Sequence, residues 1–589
     1  MRSLLDGITS ALRVPQMPQR EADEQQQPPG SPGVRRATAA AAAPSPRQKG
    51  STGAKATGFP AGALRYQSGS ISCAFAAEKS PDLPFTMLLL TQNVGGLWSS
   101  SDGTSGEGVE VADGAPAPAP KTGVSDSVRR RVAEFLQELR LLIYEASRRE
   151  FASHLRRDKV ASEGSGPPST SADGSHSEVP PLLDVIVVHF QEIGGKEAGA
   201  ESNALFAEAL RMLLPEAAWS SGLLMEANND AQRFTALGTI VFLAHRMCPI
   251  SSILSLRHRT FVAVADDPAT YCSSPTFLFH GGKFSGAASA RKGYLLTSLR
   301  FGTVVVNFLN LHLYHDDRNT EAAAASPSVY AARRQEALLE AVAECMVFVA
   351  PQDPLFIFGD FNTRLDTHSF LKHLKETRQM EVQLSAKDVQ APDCFWELFT
   401  ESQQAGAMKK FDVELQRLMD VVAQQSGVEL AEFAIRFPPT YSRLAVGESM
   451  RSRPKPKGDV EGGEGDGGSD DDDDDDDGGG ELKKGSERGR KAPRRETGPG
   501  EGAVALVLSR ITAMPTRGYS RQRVPAWCDR VVWNPAGLEL MTGQRSASSP
   551  ASLPSASSKS DGPQDSSSRY AYRSFALAHT DHDCVALLF

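Results

Sequence analysis

Six short segments hold the side chains that could do chemistry: Thr91-Gln92-Asn93, His189-Phe190-Gln191-Glu192, Asn310-Leu311-His312, Gly359-Asp360-Phe361-Asn362, Trp527-Cys528-Asp529 and His579-Thr580-Asp581-His582. Their amides, carboxylates and imidazoles are the set that a hard divalent cation and a phosphate ester would need. Mg2+ takes oxygen ligands in octahedral geometry and keeps several waters, so one or two carboxylates and an amide are enough. Water is a poor nucleophile at neutral pH, which calls for a carboxylate base within reach. Donors must then converge where charge develops on the phosphate oxygens. Cys528 has no phosphate-binding loop around it and reads as a packing residue.

Taken singly, each segment has a plainer explanation. Asn-Val-Gly-Gly after a strand is usually a turn, and Gln-Glu there is usually a satisfied surface pair. Gly-Asp-Phe-Asn can serve backbone geometry alone. The weight lies in their joint occurrence, each beside an apolar run, because loops leaving a rigid sheet are where active sites gather.

Those apolar runs are the elements that must position the chemistry. Strands are expected at Met87–Leu90, Leu182–Val188, Thr239–Leu243, Val304–Leu309, Leu355–Phe358, Arg530–Trp533 and Cys584–Phe589. Their Val, Ile, Leu and Phe content suits strands covered on both faces. Helical spacing marks Ser127–Arg149, with Val132, Phe135, Leu139 and Leu142 on one face. It also marks Tyr330–Val349 and Lys410–Gln424, the latter with Phe411, Leu415 and Leu418 aligned. The pattern predicts one α/β domain of about 400 ordered residues.

The chain has 589 residues, with 63 basic and 72 acidic side chains and a net charge of −9. The run Asp470–Asp477 supplies eight of the acids, and without it the balance is 63 against 64. A globally basic nucleic-acid binder is therefore disfavoured. Seven cysteines without CxxC spacing form neither a disulfide framework nor a zinc site, as suits a reducing compartment. No apolar run approaches the roughly 20 residues that span a bilayer. Asp6, Glu21, Asp23 and Glu24 make the N-terminus a poor organellar transit peptide, and Cys584 is misplaced for a prenylation box. These features lead us to expect a cytoplasmic protein, with peripheral membrane contact and organellar targeting left open as alternatives.

Ala, Pro, Gly, Ser and charge-rich composition marks 1–84 as a disordered N-terminal segment. It also marks disordered insertions at about 159–180, 446–502 and 543–568 within a catalytic domain spanning 85–589. The acidic run is expected to be a solvated insertion.

Longer motifs carry a resemblance. In order, TQNVGG, FQEIGG, NLHL, FGDFNTRLD, PAWCDRVVW and TDHD resemble the endonuclease/exonuclease/phosphatase superfamily. PAWCDR together with FGDFNTRLD resembles its inositol polyphosphate 5-phosphatases. SARKGY, NLHLYHDDRN, SPSVYAARR and FPPTYSR look like the type I group, and the similarity covers about 87–445 and 505–589.

The resemblance implies a four-layer α/β sandwich, two mixed β-sheets packed face to face with helices outside and the site at one end. It also implies roles. Glu192 would be the principal Mg2+ ligand, with Asn93 beside it and Asp581 completing the polar shell. Asp360 would activate water, and Asn362 would hold that water or the phosphate. His312 and His582 would donate to the scissile phosphate, with Asp529 orienting His582. Arg521 and Arg523, joined by Tyr441 and Arg443, would clamp the neighbouring phosphate. Arg291 and Lys292 would meet the 1-phosphate, and Asn310 would line the substrate site.

Two positions depart from the family pattern. Ser442 stands where a Lys usually follows the Tyr, and Asp583 stands where a basic residue follows the His, adding a negative charge near the site. The implied substrates are soluble inositol polyphosphates, Ins(1,4,5)P3 and Ins(1,3,4,5)P4, with phosphoinositide lipids as an alternative. A Mg2+-dependent nuclease or a sphingomyelinase would share the centre but leave the clamp arginines without a role. An inactive scaffold is disfavoured because no catalytic position is missing.

Overall fold

A computed structural model describes residues 86–98, 124–162, 183–195, 200–216, 218–220, 222–226, 236–255, 259–264, 280–287, 291–400, 406–444, 517–542 and 570–589. The expected segments 1–84, 446–502 and 543–568 lie outside these residues, as does the stretch 163–182.

Two mixed sheets form the centre. The first has the order β14 (Ala571–Phe575), β15 (Cys584–Leu588), β1 (Met87–Asn93), β2 (Val185–Gln191), β4 (Gly238–Leu243) and β3 (Leu223–Glu226). The second has the order β13 (Asp529–Trp533), β10 (Leu355–Asp360), β9 (Val304–His312), β8 (Gly293–Phe301), β5 (Ser251–Ser255) and β6 (Thr260–Ala263). In that sheet β7 (His280–Lys283) also pairs with β8. A small hairpin, β11 (Gln383–Leu384) and β12 (Val389–Gln390), stands apart.

Alternation along the strands shows why the sandwich has four layers. In β10, Phe356 and Phe358 belong to the core between the sheets, whereas Leu355 and Ile357 face the helices α3 (Ala331–Cys345) and α6 (Glu414–Ser426). In β2, His189 reaches the backbone of Phe358 in the other sheet, whereas Phe190 packs edge-on against Phe135 and Phe206. Those two rings come from the helices α1 (Asp126–Ser162) and α2 (Ala200–Arg211) on the outer face. A strand apolar on both sides has to be covered on both sides, and these pairs of helices do it.

All seven expected strands are present, most of them longer than the apolar run that marks them. The expected helix 127–149 begins at Asp126 and runs to Ser162, past the start of the insertion anticipated at 159. The sequence reading missed β3, β5–β8 and β14, and also α2, α4 (Thr367–Arg378), α5 (Asp393–Thr400) and α7 (Pro535–Thr542).

Strand direction gathers the chemistry. β1 and β2 run parallel with Asn93 opposite Gln191, and β9 and β10 run parallel with Asp360 opposite His312. Residues at the C-terminal ends of these four strands therefore lie at one end of the sandwich. β13, β15 and β8 run antiparallel to their neighbours, pairing Asp529 with Asp360, Val585 with Thr91 and Gly293 with His312. Residues at or just before their starts, Asp529, Asp581, His582, Arg291 and Lys292, reach the same end.

The described residues on either side of 445–516 meet. Leu444 N donates to Gly518 O at 3.0 Å, and Ser520 N donates to Ser442 O at 2.9 Å.

Candidate active site

Local geometry fixes each catalytic-type side chain. After β10 the Asp360 Oδ1 accepts from Asn362 N at 2.9 Å, a tight turn in which Asn362 takes a left-handed φ of 52°. Asn tolerates that region better than most residues. Gly359 is needed because a Cβ there would run into the backbone of Leu311 on β9. The turn then enters α4, whose N-cap Asp366 accepts from Ser369 N at 3.1 Å. Glu192, just past β2, also has a left-handed φ of 61°, a strained geometry for Glu held by its surroundings.

The two sheets meet through these groups. Asn93 Nδ2 donates to Asp360 Oδ2 at 3.1 Å. His582 Nδ1 hydrogen-bonds Asp529 Oδ2 at 2.9 Å, and Thr440 Oγ1 donates to the same oxygen at 2.7 Å. Asp529 Oδ1 is buried without a hydrogen-bonding partner. The His582 ring centre lies 4.4 Å from that of Tyr441.

Opposing charges set the protonation states. Burial disfavours a charged His582, but the charge of Asp529 and its hydrogen bond, with Asp360 and Asp581, push its pKa up to about 10. Burial would raise Asp360, yet the hydrogen bond from His312 and the charges of His582, His312 and Lys292 hold it well below the usual carboxylate range. Burial likewise works against ionised Glu192, but His312, Lys292 and Arg291 hold it at about 2. Burial lowers Lys292 to about 8 against the pull of Glu192 and Asp360.

His312 stands between Arg291, Lys292 and Asp360. It is fully buried, and its Nδ1 lies 2.9 Å from Arg291 O. A carbonyl only accepts, so Nδ1 carries a proton, while Nε2 lies beside Lys292 Nζ and 3.3 Å from Asp360 Oδ2. The ring's pKa is lowered, first by burial and then by Lys292. The Lys292 ammonium is therefore a further donor in this corner, with His312 between it and Asp360.

Oxygen ligands for a hard cation are present. The carboxylate of Glu192 and the amide oxygen of Asn93 both turn toward Gly95, where a Cβ would collide with Glu192 Oε2 and lie 3.2 Å from Asn93 Oδ1. Glu192 also accepts from Arg291. Asp581 is half-buried at the edge, its backbone oxygen accepting from Arg443 N at 2.8 Å. Among the described residues, the His, Asp and Glu atoms close enough to hold an ion are those of Asp360, Asp529 and His582, all within 4.8 Å of one another. That trio overlaps the catalytic set, not the expected ligands. The donor chemistry fits a cation such as Mg2+ at this end of the sandwich.

Several expected substrate contacts fall elsewhere. Asn310 is fully buried between the sheets, donating to Gly238 O at 2.9 Å and Phe190 O at 3.2 Å and accepting from Gln191 Nε2 at 2.8 Å, so it ties the layers together. Arg443 is 1% exposed, bound to Asp583 and stacked 4.1 Å over Tyr519, and it cannot join a clamp. Asp583 is fully buried between Arg443 and Arg517, so it adds no free negative charge to the site. Arg291 lies on Glu192. Arg521 is an exposed residue 3.2 Å from Asp393. Arg523 holds Asn319 Oδ1 at 2.7 Å and lines a small cleft.

That cleft also contains a residue the sequence reading missed. Arg364 lines it with Arg523, Asp316 and Asn319. Its guanidinium sits 4.5 Å over the Tyr441 ring, donates to Asn362 Oδ1 at 2.8 Å and leaves a buried Nε without a hydrogen-bonding partner. Ser442 is buried, and the cation beside Tyr441 is Arg364. Its place within FGDFNTRLD, two residues after Asn362, was the available signal. Cys528 is buried with its thiol pKa pushed well up, as expected of a packing residue.

Comparison with known proteins agrees with the motifs. No family model matches the sequence. A probable type I inositol 1,4,5-trisphosphate 5-phosphatase of Caenorhabditis elegans is 28% identical over 200 residues, 32% of this chain and 49% of the relative. The human inositol polyphosphate-5-phosphatase A is 28% identical over 198 residues, 32% of this chain and 48% of the relative. The rat protein of that name is 25% identical over 285 residues, 44% and 68% of the two chains. The chain spans about half the length of the first two curated relatives.

Among solved structures, the inositol polyphosphate 5-phosphatase domain of SPsynaptojanin, in complex with inositol (1,4)-bisphosphate and a calcium ion, aligns at 13% identity with a TM-score of 0.32. The alignment covers 70% of this chain and 76% of that one. A Cimex nitrophorin ferrous NO complex aligns at 14% identity and a TM-score of 0.30, covering 72% and 94%. The two packed mixed sheets with outer helices are the α/β sandwich that the motifs lead one to expect. In sequence the chain is a distant relative of inositol polyphosphate 5-phosphatases, 25–28% identical over 32–44% of its length.

Proposed function

We propose that this chain is a Mg2+-dependent phosphoric monoester hydrolase that removes the 5-phosphate of inositol polyphosphates, with Ins(1,4,5)P3 and Ins(1,3,4,5)P4 as its substrates. The observation that carries the reading is the Asp529–His582 hydrogen bond at the end of the sandwich, beside the buried carboxylate of Asp360, which itself meets Asn93 and His312. Each has a use in phosphoryl transfer. Asp360 orients the attacking water and accepts its proton as the new P–O bond forms. A loose transition state deprotonates that water little, so a weakly basic carboxylate suffices. His582, held as an imidazolium, donates to the phosphate and can pass its proton to the departing inositol oxygen as the old P–O bond breaks. Lys292 adds positive charge to the non-bridging oxygens. Glu192 and Asn93, with Asp581 at the edge, would hold Mg2+, which when bound supplies Lewis-acid stabilisation of the developing charge.

The cleft beside this centre supports a substrate with a second phosphate. Arg364 and Arg523 both line it, and a guanidinium matches a phosphate in two directions at once. We read the preferred substrate as soluble, and the protein as cytoplasmic. No helix among the described residues is long and apolar enough to cross a membrane.

Phosphate release by purified protein tests the proposal, comparing Ins(1,4,5)P3, PtdIns(4,5)P2 vesicles and abasic DNA in the presence of Mg2+. Turnover of Ins(1,4,5)P3 above both others supports it. A preference for vesicles would make this a lipid phosphatase, and cleavage of DNA alone would overturn the reading.

A further inference from the structure

The loop carrying His582 is gripped from behind by a buried charge cluster. Asp583 is fully buried, and its Oδ2 accepts from Arg443 Nε at 2.8 Å. Its Oδ1 accepts from Arg517 Nη2 at 2.5 Å. Arg517 also donates to three backbone oxygens of the same loop: Thr580 O at 2.7 Å, His582 O at 3.3 Å and Leu577 O at 3.4 Å. Arg443 completes the grip through its own backbone, with its N–H on Asp581 O at 2.8 Å and its Nη1 on Arg517 O at 3.1 Å. One planar guanidinium thus fixes a turn at several points, which a lysine ammonium with a single point charge could not reproduce.

We propose that Arg517 and Asp583 are positioning residues for His582, setting the loop so that its imidazole meets Asp529 on one side and substrate on the other. The inference rests on His582 serving the phosphate, as proposed above. Asp583, an acid where the family resemblance leads to a basic residue, then anchors the loop and does not alter the electrostatics seen by substrate. Arg517 touches the backbone of the His582 loop and none of the reacting groups, so its effect must pass through geometry. A group that only holds the fold together would change the melting temperature and leave turnover of the folded enzyme untouched.

The test uses the full chain and two variants, Arg517→Lys and Asp583→Asn. The readouts are kcat and KM for Ins(1,4,5)P3, the melting temperature, and the His582 Nδ1 proton resonance in 15N-histidine-labelled protein without substrate. Arg517→Lys keeps a cation beside Asp583 but loses the fork. It should lower kcat by about 10-fold or more, the range seen when outer-shell partners are removed. KM should stay within about twofold, and the His582 resonance should shift or broaden.

An unchanged resonance and an unchanged kcat, whatever the melting temperature does, would overturn the proposal. If Asp583→Asn does not fold, Arg517→Lys decides. If the wild type turns over none of the substrates, the functional reading fails on its own. The resonance still decides the positioning claim, a shift supporting it and no shift overturning it.

Discussion

His582 and Asp529 come from different sheets and are joined by one hydrogen bond, Nδ1 to Oδ2 at 2.9 Å. The bond ties the approach to β15 in one sheet to the start of β13 in the other, and the charge of Asp529 keeps the imidazole protonated. Asp529→Asn removes that charge while keeping the shape. It should lower kcat by about 100-fold or more, the lower end of what proton transfer from a positioned group contributes. KM should move little. Steady-state kinetics on Ins(1,4,5)P3 with a circular dichroism melt as control would check it, and full turnover in the variant would remove His582 from the chemistry.

Metal dependence should follow Glu192. Glu192→Gln keeps the side chain's size and loses the carboxylate beside Asn93, so turnover should collapse with little change in melting temperature. EDTA should abolish wild-type activity and added Mg2+ restore it. Turnover that survives the chelator would discard the metal-assisted mechanism.

Recognition should separate from chemistry at Arg523. This residue faces the cleft and is anchored to Asn319, away from the Asp529–His582 pair. Arg523→Ala should raise KM about 10-fold or more for substrates with a phosphate next to the scissile one, as loss of uniform binding does. It should change kcat little. An equal effect on a substrate without that phosphate would show that the cleft does not bind it.

His189 predicts an acid weakness in the fold. It is fully buried, stacked on Phe358 with ring centres 3.5 Å apart, and its Nδ1 lies 3.0 Å from Phe358 O while Nε2 has no hydrogen-bonding partner. Burial drops its pKa to about 3, against the raising effect of that backbone contact. The folded state therefore refuses a proton that the unfolded chain takes up near 6.5. Stability from this group is complete above that value and is lost as pH falls from 6.5 toward 3. The melting temperature should decline over that window. His189→Leu should flatten the decline, and an unchanged slope in the variant would acquit His189.

What the sequence disclosed followed from periodicity and rigid geometry. The seven strands read from apolar runs are those at the centre of the sheets or bearing a catalytic motif. Their residues are apolar on both faces, which leaves a strong local signal. β6 is missed because half-exposed and exposed residues dominate it, and β8 because Thr297, Ser298 and Arg300 break its apolar run. The catalytic residues were legible because each stands at or beside one terminus of a strand, Asp360 and His312 where theirs finish and Asp529 and His582 where theirs begin.

The substrate side was less so. Arg443, Arg364 and Arg523 are alike in a string of letters, and only burial separates them. The first is locked to Asp583, the second lies over Tyr441, and the third opens on the cleft. Asn310 misled for the same reason, because a side chain two residues from His312 along β9 points from the same face yet deeper between the sheets.

The meeting of Leu444 with Gly518 makes the molecule divisible. The described strands after residue 516 return to both sheets, with β13 at the edge of one and β14 and β15 extending the other beyond β1. A protease that cut between 445 and 516 would sever the covalent link and leave the interlocking strands in place. The nicked product should travel through a sizing column as one particle and separate only in denaturant. Asp360 would then belong to one polypeptide and the Asp529–His582 pair to the other, so two individually inert halves expressed side by side would regenerate the centre by complementation.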